Sequence, residues 1–229
     1  MKRSEINAAI AHSMALIEKY GIKLPFFAYM KHSDWLRDTD KYSDIRALML
    51  GWDVTDFGAG DFINSGAVLF TARNGSPDGK RGTPYAEKYM VFSGESGQYI
   101  PLHCHVAKTE DIINRAGGVL SVTLYGSRPD EKYVWALDEK AEVSYMSDGI
   151  LHTVAAGTVI DIQNGDSITL TPGVFHKLGA KRGCGDLIAG EVSSVNDDRV
   201  DNVFYEKTDR FCHIDEDEDA VYPLCSDIM

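Results

Sequence analysis

The chain has 229 residues, of which 44% are hydrophobic and 25% are charged, which is typical of a globular protein with one large β domain or two small ones. Its net charge of −12 argues against nucleic acid or an anionic membrane surface as a partner, because both bind a basic surface. It also weakly disfavours a phosphorylated substrate. No apolar run is long enough to span a membrane, and the polar start does not resemble a signal peptide.

The cysteines indicate a reducing compartment. Cys104, Cys184, Cys212 and Cys225 include no C-x-x-C pair and show no even spacing. We therefore expect free thiols and a cytoplasmic location. Alternation along a strand would point Cys104 away from the side chains of its two neighbours, where a small buried thiol fits a core.

The first predicted element is a helix that begins with Ser4 as its cap and ends at Gly21. Apolar residues recur along it at helical spacing, namely Ile6, Ile10, Met14 and Ile17. This stripe favours packing on a sheet or on a second subunit. Residues 22–62 are aromatic-rich and irregular, with short helical turns expected near 33–36 and 44–48.

From about residue 66 the sequence is a succession of short β-type runs, such as VLSVTLYG and HTVAAGTVIDI, separated by Gly, Asn, Asp and Pro. Many short strands at close spacing predict an all-β sandwich or barrel over residues 66–229. Residues 1–65 would then be a helix and an irregular segment that pack on this barrel within a single domain. Residues 127–148 are expected to form a polar hairpin extension, and the acidic run HIDEDEDA indicates a solvated segment or a subunit contact.

Candidate metal ligands are concentrated in the run GQYIPLHCHVAKTEDIINRAG. His103 and His105 alternate along a predicted strand, so both imidazoles point to one face. Glu110 follows a short turn and can return on the neighbouring strand, and His176 lies far downstream in TPGVFHKLG. Two or three imidazoles with one carboxylate suit a divalent ion such as Mn, Fe, Co, Ni or Zn.

These residues resemble the cupin superfamily. Its first motif is met at every spacing by Gly97, His103, His105, Glu110 and Gly117. Its second motif is met only in part by Gly165, Pro172, Gly173 and His176. Pro172 and Gly173 are adjacent where the motif separates them, and Ala180 stands where it has asparagine. The resemblance implies a double-stranded β-helix, a jelly-roll barrel, with the metal inside its mouth.

A closer resemblance, over nearly the whole chain, is to the D-lyxose isomerase family of cupins. It is carried by PLHCHVAKTEDIINRAGG, TPGVFHKLGA, GEVSSVNDDRVDNVFYE and RFCHIDEDED. It implies that a manganese-type ion is held by His103, His105, Glu110 and His176. Lys108 would be an acid/base residue and Glu206 its carboxylate partner. Members convert the neutral sugars D-lyxose and D-mannose to D-xylulose and D-fructose and are commonly homodimers.

The chemistry of an aldose–ketose isomerase gives Lys108 a role. A divalent ion bound to both sugar oxygens acidifies the C–H bond, and a base then moves the proton between C1 and C2. Lys108 lies in the turn between His105 and Glu110, where a nearby cation and burial would lower its pKa. The alternative is a solvated lysine whose stem covers apolar surface.

Other charged residues are weaker candidates for contact with the substrate. Glu191 interrupts an apolar strand and needs a partner there, such as a sugar hydroxyl or a cation, unless it faces solvent. Lys88 interrupts another hydrophobic strand, and Arg210 could pair with an acidic neighbour or bind a sugar hydroxyl. Glu206 could equally be a surface glutamate. The remaining histidines have no ligand partner at useful spacing and are expected to be structural or solvated: His12, His32, His152 and His213.

Three rival functions remain open from the sequence. An Fe(II) cupin oxygenase can use the same ligands. A sugar-binding cupin without activity would keep the fold, although retention of all four ligand candidates argues against it. An isomerase for phosphorylated sugars would need a cluster of basic residues, and the predicted inward strands supply only isolated ones. The sequence leaves open both the preferred sugar and the choice between enediol and hydride transfer.

Overall fold

The computed structural model describes residues 1–37, 40–195, 197, 200–209 and 212–228. The helices are α1 (Arg3–Lys19), α2 (His32–Trp35) and α3 (Ser43–Ala47), with a 3₁₀ turn at Phe26–Tyr29. The strands are β1 (Gly51–Thr55), β2 (Ala67–Gly75), β3 (Gly82–Phe92), β4 (Tyr99–His105), β5 (Glu110–Gly117), β6 (Leu120–Asp130), β7 (Val134–Asp138), β8 (Val143–Ser147), β9 (Ile150–Val154), β10 (Thr158–Ile162), β11 (Ser167–Leu170), β12 (Phe175–Ala180), β13 (Leu187–Ser194) and β14 (Asn202–Phe204).

These strands form two sheets. One has the order β1-β2-β3-β13-β5-β11-β8-β9 and the other the order β10-β6-β12-β4-β14, with β7 paired to β6. The pairings between the named strands are antiparallel. The predicted all-β jelly-roll barrel with an N-terminal helix is therefore confirmed. Within the described ranges, no helix has the length and apolar character needed to cross a membrane.

The inner core lies between the inner faces of the two sheets. It includes Leu69, Met90, Ile112, Leu124 and Leu178, all buried. Because side chains alternate along each strand, every second residue of these strands enters the barrel. At one end of this interior the apolar side chains give way to charged ones, and this end is the mouth described below.

The outer core lies between α1 and the outer face of β1, β2 and β3. Of the predicted helix stripe, Ile6, Ile10 and Ile17 are buried there and Met14 is partly buried. The stripe packs with aromatic residues of the segment that was expected to be irregular: Trp52 donates its indole N–H to the Ala28 carbonyl at 2.9 Å and contacts Phe70, with ring centroids 4.9 Å apart.

β1 was not predicted, because residues 22–62 were expected to be irregular apart from helical turns. All five residues of β1 are buried, since this strand has α1 on one side and the barrel on the other. Such a strand shows no alternation of apolar and polar residues. The two expected helical turns are present as α2 and α3. The division of the chain at residue 65 stays a prediction, and β1 joins the first part to the main sheet.

The prediction that Ser4 caps α1 was wrong. The helix begins at Arg3, and the backbone N–H of Lys2 is bonded to the Glu5 carboxylate at 2.8 Å. Ser4 instead donates its hydroxyl to Asp217 in the acidic tail, at 2.7 Å. Gly21 ends the helix as expected, with a φ of 73° that suits glycine.

The acidic tail folds back on the start of α1. Arg3, only 3% exposed, contacts Glu216 at 2.7 Å and Asp227 at 2.9 Å. Asn7 donates to Glu218 at 2.6 Å. Carboxylates at a helix N-terminus are favoured by the helix dipole. The run is largely exposed, as expected of a solvated segment, but it is also held by contacts with α1. It attaches the end of the chain to its beginning. A subunit contact stays a prediction.

Candidate functional site: a histidine–carboxylate centre in the barrel mouth

Three buried imidazoles converge at the mouth. His103 and His105 project from the end of β4, and His176 projects from β12, where it is the direct cross-strand partner of His103. One nitrogen of each ring lies within 4.8 Å of the others. Alternation along β4 places the first two on one face, as the H-x-H spacing predicts, and strand pairing adds the third.

Glu110 approaches these rings from the other sheet. It is the first residue of β5, and its Oε1 lies 3.3 Å from Nε2 of His105 and 3.0 Å from Nε2 of His176. The turn between β4 and β5 is short enough to bring the carboxylate back over the histidines. All four predicted ligands therefore meet in one place.

The donor atoms fit a divalent ion. Among the described residues, Nε2 of His105, Nε2 of His176 and Oε1 of Glu110 are buried without a hydrogen bond of good geometry. Such atoms are costly unless something binds them. Ligand atoms that lie about 2.1 Å from an ion and at right angles are roughly 3 Å apart, close to the observed separations.

The other ring nitrogens are oriented by acceptors. Nδ1 of His103 lies 2.8 Å from the Pro101 carbonyl, and Nδ1 of His176 lies 3.0 Å from the Val174 carbonyl. A carbonyl only accepts, so these contacts place the proton on Nδ1 and leave the Nε2 lone pair for an ion. Nδ1 of His105 faces a carboxylate instead, that of Asp201, at 3.2 Å.

A buried chain of charges continues from the ligands into the barrel. Nζ of Lys108 lies 2.8 Å from Oε2 of Glu110 and 2.9 Å from Oε1 of Glu191. Lys88 is the cross-strand partner of Glu191, with its Nζ 3.6 Å from the carboxylate. Ser193 also donates to Glu191, at 2.9 Å. The structure thus brings Lys108, Glu191 and Lys88 together beside the ligands.

Neighbouring charges in this group stabilise the ionised forms of the two glutamates. Burial disfavours ionisation of both glutamates, but Lys108 and His105 hold the pKa of Glu110 well below its usual range, and Lys108 with Lys88 lowers the pKa of Glu191. Burial and the neighbouring His176 hold the pKa of His103 well below its usual range. For His105, burial opposes protonation, but Glu110 raises its pKa. The mouth therefore holds two carboxylates and a neutral His103.

The remaining wall of the cavity is apolar and aromatic. Its apolar lining residues are Phe57, Leu69, Met90, Ile100, Ile112, Leu178 and Phe204. Phe204 stacks on the His103 ring with centroids 5.2 Å apart, and Phe57 contacts Phe204 at 5.8 Å. Phe57 has a φ of 54°, a conformation rare for an aromatic residue outside functional or constrained sites. The cavity thus has charged groups on one side and apolar and aromatic groups on the other.

Other predicted residues lie elsewhere. Glu206 is exposed, in a turn after β14, and does not line the cavity. Arg210 lies outside the described residues. Cys104 is fully buried on the opposite face of β4, as expected, and burial raises the pKa of its thiol to about 12. All four cysteines are free thiols.

The remaining histidines lie away from the mouth. His32 and His213 are exposed, His12 contacts Asp186 at 2.9 Å, and His152 stacks on Tyr145. These are the structural or solvated positions that were expected for them.

Asp201 was not among the residues predicted from the sequence. It follows a polar run and precedes a strand of three residues, so nothing in its immediate neighbourhood marks it as a buried partner of a ligand. Burial raises its pKa, but contacts with His105 and with the Ala107 N–H lower it, and the net effect is a lowered pKa. Only the pairing of β14 with β4 brings it to the site.

The chain is similar to known proteins over its whole length. The chain matches the family model described as D-lyxose isomerase over residues 1–228. It is 39% identical over 230 residues to a D-lyxose/D-mannose isomerase of Escherichia coli O157:H7, which covers 99% of this chain and 98% of that protein. It is 39% identical over 232 residues to a protein of the same description from Serratia proteamaculans, with 100% and 98% covered.

Solved structures show the same fold at low identity. The L-ribose isomerase of Acinetobacter sp. DL28 has a TM-score of 0.59 and 15% identity, with 93% of this chain and 98% of that chain covered. The L-ribose isomerase of Cellulomonas parahominis has a TM-score of 0.57 and 15% identity, with 91% and 94% covered. At this identity the likeness concerns the fold.

Proposed function

This chain belongs to the D-lyxose isomerase family, and on that premise we propose that it is a metal-dependent aldose–ketose isomerase that converts D-lyxose to D-xylulose and D-mannose to D-fructose. The observation that carries the proposal is the position of Lys108. Its ammonium group lies between a carboxylate of the metal site and a second buried carboxylate, Glu191. A site that only held a metal would not need this second pair.

We propose manganese as the ion, held by His103, His105, Glu110 and His176. When bound, such an ion polarises the adjacent sugar oxygens and stabilises the negative charge that develops on them. Co, Ni, Zn and Fe accept the same ligands, so the metal is decided by loading the protein with each in turn and comparing turnover.

The acid–base work falls to Lys108 and Glu191. Glu191 is ionised and buried, so it can accept the proton released when the C2–H bond of the aldose breaks. The ammonium of Lys108 can donate a proton to O1, which gives an enediol. The neutral amine of Lys108 can then accept the O2 proton, and Glu191 can return its proton to C1, which completes the ketose. Both groups lie within hydrogen-bonding distance of each other, so a proton can pass between them.

The charges of the mouth favour a neutral sugar. The two lysines of the cavity both contact Glu191, and Lys108 also contacts Glu110. This pairing opposes the binding of a phosphate group, which needs uncompensated positive charge. Lys88 and Glu191 can meanwhile bind sugar hydroxyls, and the exposed position of Glu206 does not support the catalytic role that the resemblance implies for it.

The deciding experiment is incubation of the metal-reloaded protein with D-lyxose, D-mannose, D-xylose and D-glucose, without oxygen, and measurement of the ketose formed. We expect D-lyxose and D-mannose to react. No turnover with Mn, Co or Ni would refute the proposal, and oxygen consumption with Fe(II) in air would support the oxygenase instead. In D₂O, deuterium at C1 of the ketose supports the proton route, and its absence supports hydride transfer.

A homodimer and a cytoplasmic location remain predictions from the sequence. Light scattering on the eluting protein tests the first. A mass of twice 25.3 kDa would support a dimer, and the monomer mass would contradict it.

A further inference from the structure

We infer that Asp201 is a positioning residue that orients His105 toward the metal and at the same time holds the turn that carries Lys108. The inference rests on the proposed metal site but not on the identity of the sugar. Asp201 directly precedes β14, whose first residue, Asn202, pairs with His105 on β4. This pairing places the Asp201 carboxylate beside the ring of the ligand.

The first contact concerns the His105 ring. Its Nδ1 lies 3.2 Å from Oδ2 of Asp201. Both atoms are buried, and among the described residues neither makes a hydrogen bond of good geometry to any group, so the 3.2 Å separation is a close polar contact. An ionised carboxylate only accepts, so this pairing favours a proton on Nδ1, and an ion bound between Nε2 and Glu110 would then find the lone pair on Nε2. Nε2 is the atom that lies 3.3 Å from Glu110 in the metal site.

His105 differs in this respect from the other two histidines. His103 and His176 are oriented by main-chain carbonyls two residues before each of them. Pro101 belongs to the same strand as His103, and Val174 directly precedes the strand of His176, so both acceptors are present whatever the side chains are. The orientation of His105 depends on a side chain from another strand, so it can be removed by a single substitution.

The second pair of contacts concerns the turn after β4. Oδ1 of Asp201 accepts the Ala107 N–H at 2.9 Å, and the Asp201 carbonyl accepts the Val106 N–H at 2.9 Å. From the other side, the Trp135 indole donates to the Val106 carbonyl at 3.4 Å. Lys108 is the next residue of this turn. Asp201 therefore links the geometry of a ligand to that of the acid–base residue.

These contacts make Asp201→Asn more damaging than its small size change suggests. The Ala107 N–H is a donor, so it would select the amide oxygen of the new side chain. The amide NH₂ would then face Nδ1 of His105 and stabilise the tautomer with the proton on Nε2, which cannot bind a metal. Asp201→Ala would remove the acceptor without imposing the wrong tautomer.

Two measurements test the inference. Nitrogen-15 NMR of the metal-free protein should show a proton on Nδ1 of His105 in the wild type, and no proton on Nδ1 but one on Nε2 in Asp201→Asn. Calorimetric titration with Mn(II) should show affinity lowered about 10–100-fold in Asp201→Ala, and at least as much in Asp201→Asn. The matched control is Asp161→Asn, since Asp161 pairs with Lys181 at the surface, and we expect it to bind Mn(II) as the wild type does.

The result that would overturn the inference is an unchanged tautomer together with wild-type Mn(II) affinity in Asp201→Asn. A merely structural role would lower affinity in both variants without a change of tautomer, and this would also overturn it. If the wild type binds Mn(II) but isomerises none of the sugars, the proposed function fails while the role of Asp201 stands. The two failures are therefore distinguishable.

Discussion

The protein has two clusters of buried charge, one at the start of α1 and one at the barrel mouth. They differ in how far the charged side chains of each cluster are exposed to solvent. At the helix, Arg3 is 3% exposed, but its partners Glu216 and Asp227 are 58% and 20% exposed. At the mouth, Lys108, Glu110 and Glu191 are 3%, 3% and 6% exposed. Only the second cluster has removed both signs of charge from water.

The difference separates a structural cluster from a functional one. Burial of both members of an ion pair costs several kcal/mol per ion in real proteins, and an apolar barrel interior would be at least as stable without it. The mouth therefore carries charges that the fold does not need. The helix cluster keeps its carboxylates partly hydrated and joins the two ends of the chain, which is a structural task.

The largest expected effect is on the mouth. Lys108→Ala should lower kcat with D-lyxose by about 10²–10⁴-fold, the usual contribution of an acid–base residue, and leave the metal bound. Activity assays together with metal analysis of the purified variant measure both. Lys140→Ala, at an exposed position in the loop between β7 and β8, is the matched control and should retain full activity. A fully active Lys108→Ala would remove the distinction between the clusters.

The second-largest effect is expected on removal of the metal, which should lower the stability of the folded protein. An ion that binds only the folded state adds about 2.7 kcal/mol at a free concentration 100 times its Kd. Chelation should therefore lower the Tm, and added Mn(II) should restore it. The same treatment of a His176→Ala variant is the control, because this variant lacks a ligand and its Tm should respond little. Equal responses of the two proteins would place the ion elsewhere.

The helix cluster should affect stability and not catalysis. The guanidinium group of Arg3 donates two hydrogen bonds to Glu216 and two to Asp227. Because Arg3→Met removes these bonds, it should lower the free energy of unfolding by about 1–3 kcal/mol. Urea unfolding measures this loss, and kcat with D-lyxose should be unchanged in the folded variant. A selective loss of kcat would show that the two clusters are coupled.

The smallest effect concerns pH. In the folded protein, hydrogen bonds with Arg3 lower the pKa of Glu216, and hydrogen bonds with Ser4 lower the pKa of Asp217. A carboxylate with a lowered folded pKa contributes stability above its unfolded pKa of about 4, and this contribution is lost as the pH falls through the folded pKa. The Tm difference between wild type and Arg3→Met should therefore narrow below about pH 4. A difference that grows on acidification would contradict this account.

The sequence predicts the barrel and its ligands because both depend on local periodicity. The H-x-H spacing and the short turn to Glu110 are properties of neighbouring residues, and His176 could be added from its motif. Asp201 could not be found in this way, since its contact with His105 arises from a pairing of distant strands. Glu206 illustrates the opposite case: a family resemblance suggested a role that the exposed position of the side chain does not support.

The missed elements have similar physical reasons. The run HTVAAGTVIDI was one predicted strand, but it is divided near Gly157, whose φ is 79°, into β9 and β10. These strands lie in different sheets. β1 escaped prediction because burial on both faces removes the alternation that marks a half-buried strand. In both cases the tertiary structure, and not the local pattern, decides the boundary.

The cross-strand pairing of His103 with His176 also has a consequence for folding. A slip of one residue between β4 and β12 would turn the shifted side chains to the other face of the sheet, and the ligands would no longer meet. Metal binding therefore stabilises only the native register of these two strands, relative to pairings that are shifted by one residue. Refolding from urea with Mn(II) present should yield a larger native fraction than refolding with a chelator.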